Sequence, residues 1–113
     1  MKPRLSPGIE ASALIRRAVY AGGFGTIIRK GDPTHGTLLL QVTERGVHVA
    51  LLERLLEGDG EYRWQRCGPE EGAESRAIHD FVIKRTRFDA DLWLIELDIA
   101  PAKRFIAETI DSG

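Results

Sequence analysis

Nine residues, Asp91-Leu92-Trp93-Leu94-Ile95-Glu96-Leu97-Asp98-Ile99, constrain the fold of this chain more than any other stretch. Alternate residues of a β-strand share a face. As a strand, the segment sets Trp93, Ile95, Leu97 and Ile99 on one wholly apolar face. The opposite face begins with Leu92 and Leu94 and ends with Glu96 and Asp98, so it starts dry and finishes wet. A strand buried on one side and partly covered on the other is an inner strand of an α+β sheet. Phe88-Asp89-Ala90 supplies the turn that feeds it.

The rest of the chain is read around that strand. Ser6-Pro7 marks a helix start, with Ser6 as N-cap and Pro7 in the first turn. From Ile9 onward, Ala11, Leu14, Ile15, Ala18 and Gly22 recur at helical spacing and form the expected buried stripe, with Arg16, Arg17 and Tyr20 on the other side. Gly22-Gly23 ends the helix as a C-cap. Strands are expected over residues 24–30 and 37–43, joined by the turn Gly31-Asp32-Pro33-Thr34-His35-Gly36. Leu51, Leu52, Leu55 and Leu56 fit an amphipathic helix as well as a strand. Gly58-Asp59-Gly60 followed by Tyr62-Arg63-Trp64-Gln65-Arg66-Cys67 has the form of a hairpin turn and its second arm, so the reading taken for 50–57 is a strand. A helix is expected over 73–87, led by the acids Glu70 and Glu71 and ending in Lys84, Arg85 and Arg87, with Ile78, Phe81, Val82 and Arg85 on one face. A last helix over 102–110, opened by Pro101, turns Phe105, Ile106 and Ile110 inward.

The expected architecture is one α+β domain over residues 1–113, with a mostly antiparallel sheet of about five strands and three helices packed on it. A chain of 113 residues buries a core without covalent staples. Its net charge of −1 supplies no overall field for nucleic acid or an acidic membrane. The single cysteine, Cys67, excludes an internal disulfide and fits a reducing compartment. The basic N-terminus Met1-Lys2-Pro3-Arg4-Leu5-Ser6-Pro7-Gly8 lacks the apolar segment of a secretion signal, and no apolar run reaches the ~20 residues of a membrane span. A cytoplasmic location without membrane attachment is the expectation.

Several blocks together carry a resemblance: Ala13-Leu14-Ile15-Arg16-Arg17, Ala21-Gly22-Gly23-Phe24, Arg29-Lys30-Gly31-Asp32, Phe88-Asp89-Ala90-Asp91-Leu92-Trp93 and Arg104-Phe105-Ile106-Ala107-Glu108-Thr109. In this order they resemble the uncharacterised domain-of-unknown-function family 1491, found mainly in alphaproteobacteria. The likeness spans nearly the whole chain, and Phe88 to Trp93 is its most specific part. Ala90 stands where proline is common in the family, and residues 53–60 match it poorly. The resemblance implies a cytoplasmic α+β domain and favours the hairpin. The family has no established activity, so it assigns no functional residue.

Each candidate chemistry has a structural competitor. Asp89, Asp91, Glu96 and Asp98 put four carboxylates into ten residues, with Glu96 and Asp98 about 7 Å apart on one strand face. Such a group suits a hard cation such as Mg²⁺ and a metal-assisted hydrolase. Turn-forming aspartates, and pairing of Glu96 and Asp98 with Arg29, Arg63 or Arg66, account for the same residues without metal. His35, His48 and His79 lack zinc-ligand spacing, and adjacent His79 and Asp80 diverge on a helix. Cys67 reads as a half-buried bystander. Gly22-Gly23-Phe24-Gly25 runs from helix into strand, the wrong polarity for a phosphate loop. Arg16, Arg17, Tyr20, Arg63 and Arg66 would form a nucleic-acid or nucleotide site only by converging on one face; Lys84, Arg85 and Arg87 extend the basic set. Spread over several elements and offset by 17 acids, they read first as solvated surface.

No catalytic, cofactor or metal constellation outweighs its structural competitor. The reading taken is a non-catalytic interaction module, binding another protein or a second copy of itself. Leu55, Leu56, Tyr62 and Trp64 on the hairpin are the expected contact, because four leucines exceed what one hairpin face buries.

Overall fold

Pro7 opens α1 (Pro7–Tyr20) in the computed structural model, which describes residues 5–111. Residues 1–4 of the basic N-terminal stretch lie outside the described residues. Ser6 occupies the N-cap position in extended backbone, but its hydroxyl makes no capping bond. The other end is a Schellman cap: Gly22 takes φ +91°, Gly22 N–H donates to Val19 O at 3.0 Å, and Gly23 N–H to Ala18 O at 2.8 Å. Pro7, Ala11, Leu14 and Ala18 form the buried stripe. Gly22, expected on that stripe, lies past the helix end and is exposed, and so is Ile9. Two helical positions rotate a side chain by about 200°, so Ile9 lies opposite Ala11.

Five strands follow: β1 (Phe24–Arg29), β2 (Leu38–Glu44), β3 (Val47–Leu56), β4 (Tyr62–Cys67) and β5 (Trp93–Asp98). They form one sheet in the order β1-β5-β2-β3-β4. Each adjacent pair is antiparallel except β2 with β5, which run parallel from Leu38↔Trp93 to Thr43↔Asp98. The fold is therefore α+β and mostly antiparallel, and β5 is an inner strand beside the central β2. Arg45 (φ +53°) and Gly46 (φ +82°) make a two-residue turn between Glu44 and Val47, the positive-φ pair that matches strand twist. Residues 47–67 form the hairpin rather than a helix.

Both faces of the sheet carry a core. On one, α1 and α3 (Ala102–Asp111) cover Leu38, Leu40, Val42, Ala50, Leu52, Trp64, Trp93, Ile95 and Leu97. On the other, α2 (Ser75–Phe88) lays Ile78, Phe81 and Val82 on Leu39, Leu51, Leu92 and Leu94. Leu51 and Leu52 thus point to opposite faces, and each finds a helix. The helix α2 starts two residues later than expected and has no acid in its first turn. Glu71 instead pairs with Lys103 at 3.1 Å.

The loop before β2 wraps the start of β5. Trp93 Nε1–H donates to Asp32 O at 2.8 Å, and Asp32 Oδ2 accepts from Thr34 N–H and His35 N–H at 3.1 and 2.6 Å. Glycine is required at Gly36, where a Cβ would stand 2.4 Å from Asp91 O and 2.6 Å from the Trp93 ring.

Candidate functional site

The helix α2 does not cover its face of the sheet evenly. Arg85 pairs with Glu53 over β3, and Phe81 packs near Gly68, so the β3–β4 side is closed. Toward β1 the sheet is bare. Thr26 is paired with Glu96 and Phe24 with Asp98, and directly opposed residues share a face. Phe24, Ile28 and Val47 are 66%, 53% and 58% exposed along this open half.

Between that half-face and the flank of α2 runs a groove of about 450 Å³. Ile28, Val47, Ile78, Val82 and Leu94 give it apolar walls, and Gln41, Glu74, Glu96 and His48 give it polar groups. Among the described residues, no Lys or Arg lines it. His48 is 4% exposed, and its Nε2 lies 3.0 Å from Pro69 O. A carbonyl only accepts, so Nε2 carries the hydrogen. The His48 Nδ1 is buried without a hydrogen-bond partner among the described residues. Carboxylate acceptors beside aliphatic walls suit a ligand that brings hydrogen-bond donors or positive charge on an apolar stem.

The four carboxylates do not converge. Asp89 Oδ1 accepts from Asp91 N–H at 3.0 Å, a local turn bond. Asp91 is exposed, and its carbonyl accepts from Asp32 N–H at 3.0 Å. Asp98 holds the β2–β3 turn, accepting from Thr43 Oγ1 at 2.8 Å, Gly46 N–H at 2.8 Å and Arg45 N–H at 3.1 Å. Partial burial pulls its pKa up, but those bonds prevail and hold the carboxyl below its ordinary value. Glu96 alone faces the groove. No three His, Cys, Asp or Glu side chains come together in metal-holding geometry among the described residues.

The arginines do not converge either. Arg17 lies 4.5 Å above the Phe105 ring and donates to Thr109 Oγ1 at 3.1 Å. Arg16 and Tyr20 are exposed on α1. Arg63 and Arg66 sit on β4, at the opposite edge of the sheet from β1, and Arg63 is bound to Asp59 at 2.7 Å. Arg29 donates to Ala90 O at 2.7 Å rather than to Glu96 or Asp98.

On the hairpin, Leu56 stands opposite Tyr62 and Arg54 opposite Trp64, on the α1 side; Leu55 stands opposite Arg63 on the other. Leu56 is exposed, Leu55 and Tyr62 are half-buried, and Trp64 is core beneath the Arg54 guanidinium at 5.5 Å. Burial raises the Cys67 thiol to about 11, with Glu53 adding to the effect and Arg85 opposing it, so it is not a thiolate at neutral pH. No described helix is long and apolar enough to cross a membrane.

Sequence reasoning missed the open half-face. A signal existed: Phe24-Gly25-Thr26-Ile27-Ile28 carries large apolar groups on both faces of a short strand.

The fold recurs in solved structures. An NMR structure of a DUF1491 family protein from Caulobacter crescentus CB15 is 31% identical, covers 92% of this chain and 94% of its own, and superposes with a TM-score of 0.76. A crystal structure of a DUF1491 family protein from the same organism gives 32% identity, 84% and 88% coverage and a TM-score of 0.72. A solution structure of an A. tumefaciens protein gives 28%, 85%, 86% and 0.73. No curated protein matches the chain. The family described as protein of unknown function (DUF1491) matches residues 5–107. With that match over most of its length, the chain belongs to the DUF1491 family.

Proposed function

We propose that the protein is a non-catalytic, cytoplasmic interaction module that binds an extended segment of a partner protein along β1. What carries the reading is the difference between the two sheet edges. Strand β4 is guarded by Arg63, Gln65 and Arg66, the charged and polar side chains that deter strand addition. Strand β1 has no proline and no charge before Arg29, whose guanidinium is turned back onto Ala90 O. Among the described residues it pairs only with β5, and it shows Phe24 and Ile28 beside the groove. An added strand satisfies its free backbone groups and covers those side chains in one step.

The test is photocrosslinking in the cells that make the protein, with a crosslinking amino acid at Thr26 or Ile28 and, for comparison, at Leu56 or Arg66. The expected result is one discrete adduct from positions 26 and 28, mapping to a short extended segment of another protein. An adduct from Leu56 alone moves the contact to the hairpin end. Adducts to nucleic acid overturn the reading in favour of the arginines, and an adduct to a second copy identifies self-association.

A further inference from the structure

Glu96 lines the groove with a charge that the fold leaves unanswered. Among the described residues it has no hydrogen-bond or ion-pair partner, and none of those lining the groove it faces is Lys or Arg. Glu74 adds a second carboxylate to the lining, so the groove is acidic in a protein of nearly balanced charge. Directly across from Glu96 on β1 is Thr26, a small exposed residue, with Phe24 and Ile28 two positions to either side. The three side chains make a saddle: low at Thr26, high and apolar at both ends.

We infer that the segment added to β1 carries a lysine or arginine opposite Thr26, whose stem lies across that saddle and whose cation rests on Glu96. Two strand spacings separate the added residue from Glu96, about 10 Å. A lysine's four methylenes and a glutamate's two span that gap, with the stem over apolar surface and the charge at the carboxylate. Gln41, beside Glu96 on β2, is a further acceptor lining the same groove. An acidic residue at that position of the segment would meet Glu96 and Glu74 with no Lys or Arg among the described lining residues to offset them, so charge selects the partner. This inference rests on the edge reading above and adds the partner's charge to it.

The probes are seven-residue peptides of alternating threonine and valine, blocked at both ends, whose central residue is lysine, arginine, norleucine or glutamate. Each is titrated into the ¹⁵N-labelled full chain, and amide shifts are followed along β1 and at Glu96. Norleucine keeps the stem and removes the charge. The lysine and arginine peptides are expected to bind at β1 about fivefold more tightly than the norleucine peptide, the upper range for an ion pair open to solvent. The glutamate peptide should bind more weakly than norleucine. Glu96→Gln, at a side chain without internal partners, should bring lysine and norleucine to parity, and added salt should do the same to the wild type. If all four peptides shift β1 equally, the edge reading stands and the cation inference falls. If the lysine preference survives in Glu96→Gln, Glu96 is not its source and the inference also falls. If no peptide shifts β1, the edge reading itself falls and takes the inference with it.

Discussion

Trp93→Ala tests whether the chain is built around β5. The indole is 6% exposed, and it packs in the core shared by α1, α3 and the sheet. Truncation of a buried tryptophan to alanine costs about 3–5 kcal/mol through lost burial and the cavity left behind. The indole N–H also donates to Asp32 O at 2.8 Å, and Gly36 sits against the ring. Losing the ring therefore releases the loop before β2. That carbonyl lies in a partly exposed loop where water replaces the donor, so this adds no more than about 1 kcal/mol. The expected total is near 4 kcal/mol, a large part of the ~5–15 kcal/mol that a domain has. Urea unfolding followed by circular dichroism reads it directly. With a slope of about 1.5 kcal/mol/M, the midpoint should fall by about 2–3 M with the slope unchanged. Trp93→Phe keeps most of the buried area and loses the bond, so it should cost about 1–2 kcal/mol. A cost below about 1 kcal/mol for Trp93→Ala would refute the reasoning.

Three further predictions concern other parts of the fold. Phe24→Ser and Ile28→Ser, at side chains more than half exposed, should each cost less than about 1 kcal/mol; calorimetry showing a cost near that of Trp93→Ala would make them core. Asp98 has a lowered pKa, so its ionised bonds stabilise the fold above its unfolded value of about 4, and that contribution is lost as pH falls through the lower folded value. Asp98→Asn should therefore cost about 1 kcal/mol at pH 7, and the gap to wild type should close below pH 4; an equal gap at pH 7 and pH 3 removes the charge from the explanation. Cys67, half-buried with its thiol raised to about 11, should react with a disulfide reagent far more slowly than a free thiol at pH 8 and reach that rate only on unfolding.

The sequence made β5 readable because its two faces differ in a graded way, apolar throughout on one and apolar-to-acidic on the other. The stretch 47–56 was harder for a physical reason. Strands lose their polar alternation when helices cover both faces, and Leu51 and Leu52 are both fully buried against different helices. Only Gly58-Asp59-Gly60 beyond it broke the tie with a helix. Local pattern holds no information on which face a helix takes or that β2 and β5 run parallel, because both follow from crossovers between distant segments. The groove was illegible for the same reason. Its walls come from four strands and α2, and Glu96 meets Thr26 across 70 residues of chain.

The most direct test of the account compares deuterium uptake of the protein alone with that of the protein isolated together with its crosslink-defined partner. The account predicts slowed exchange across residues 24–29 of β1, whose outward amides gain strand partners, with residues 62–67 of β4 unchanged. Slowed exchange at β4 or the hairpin end, with β1 exchanging as in the free protein, would contradict it.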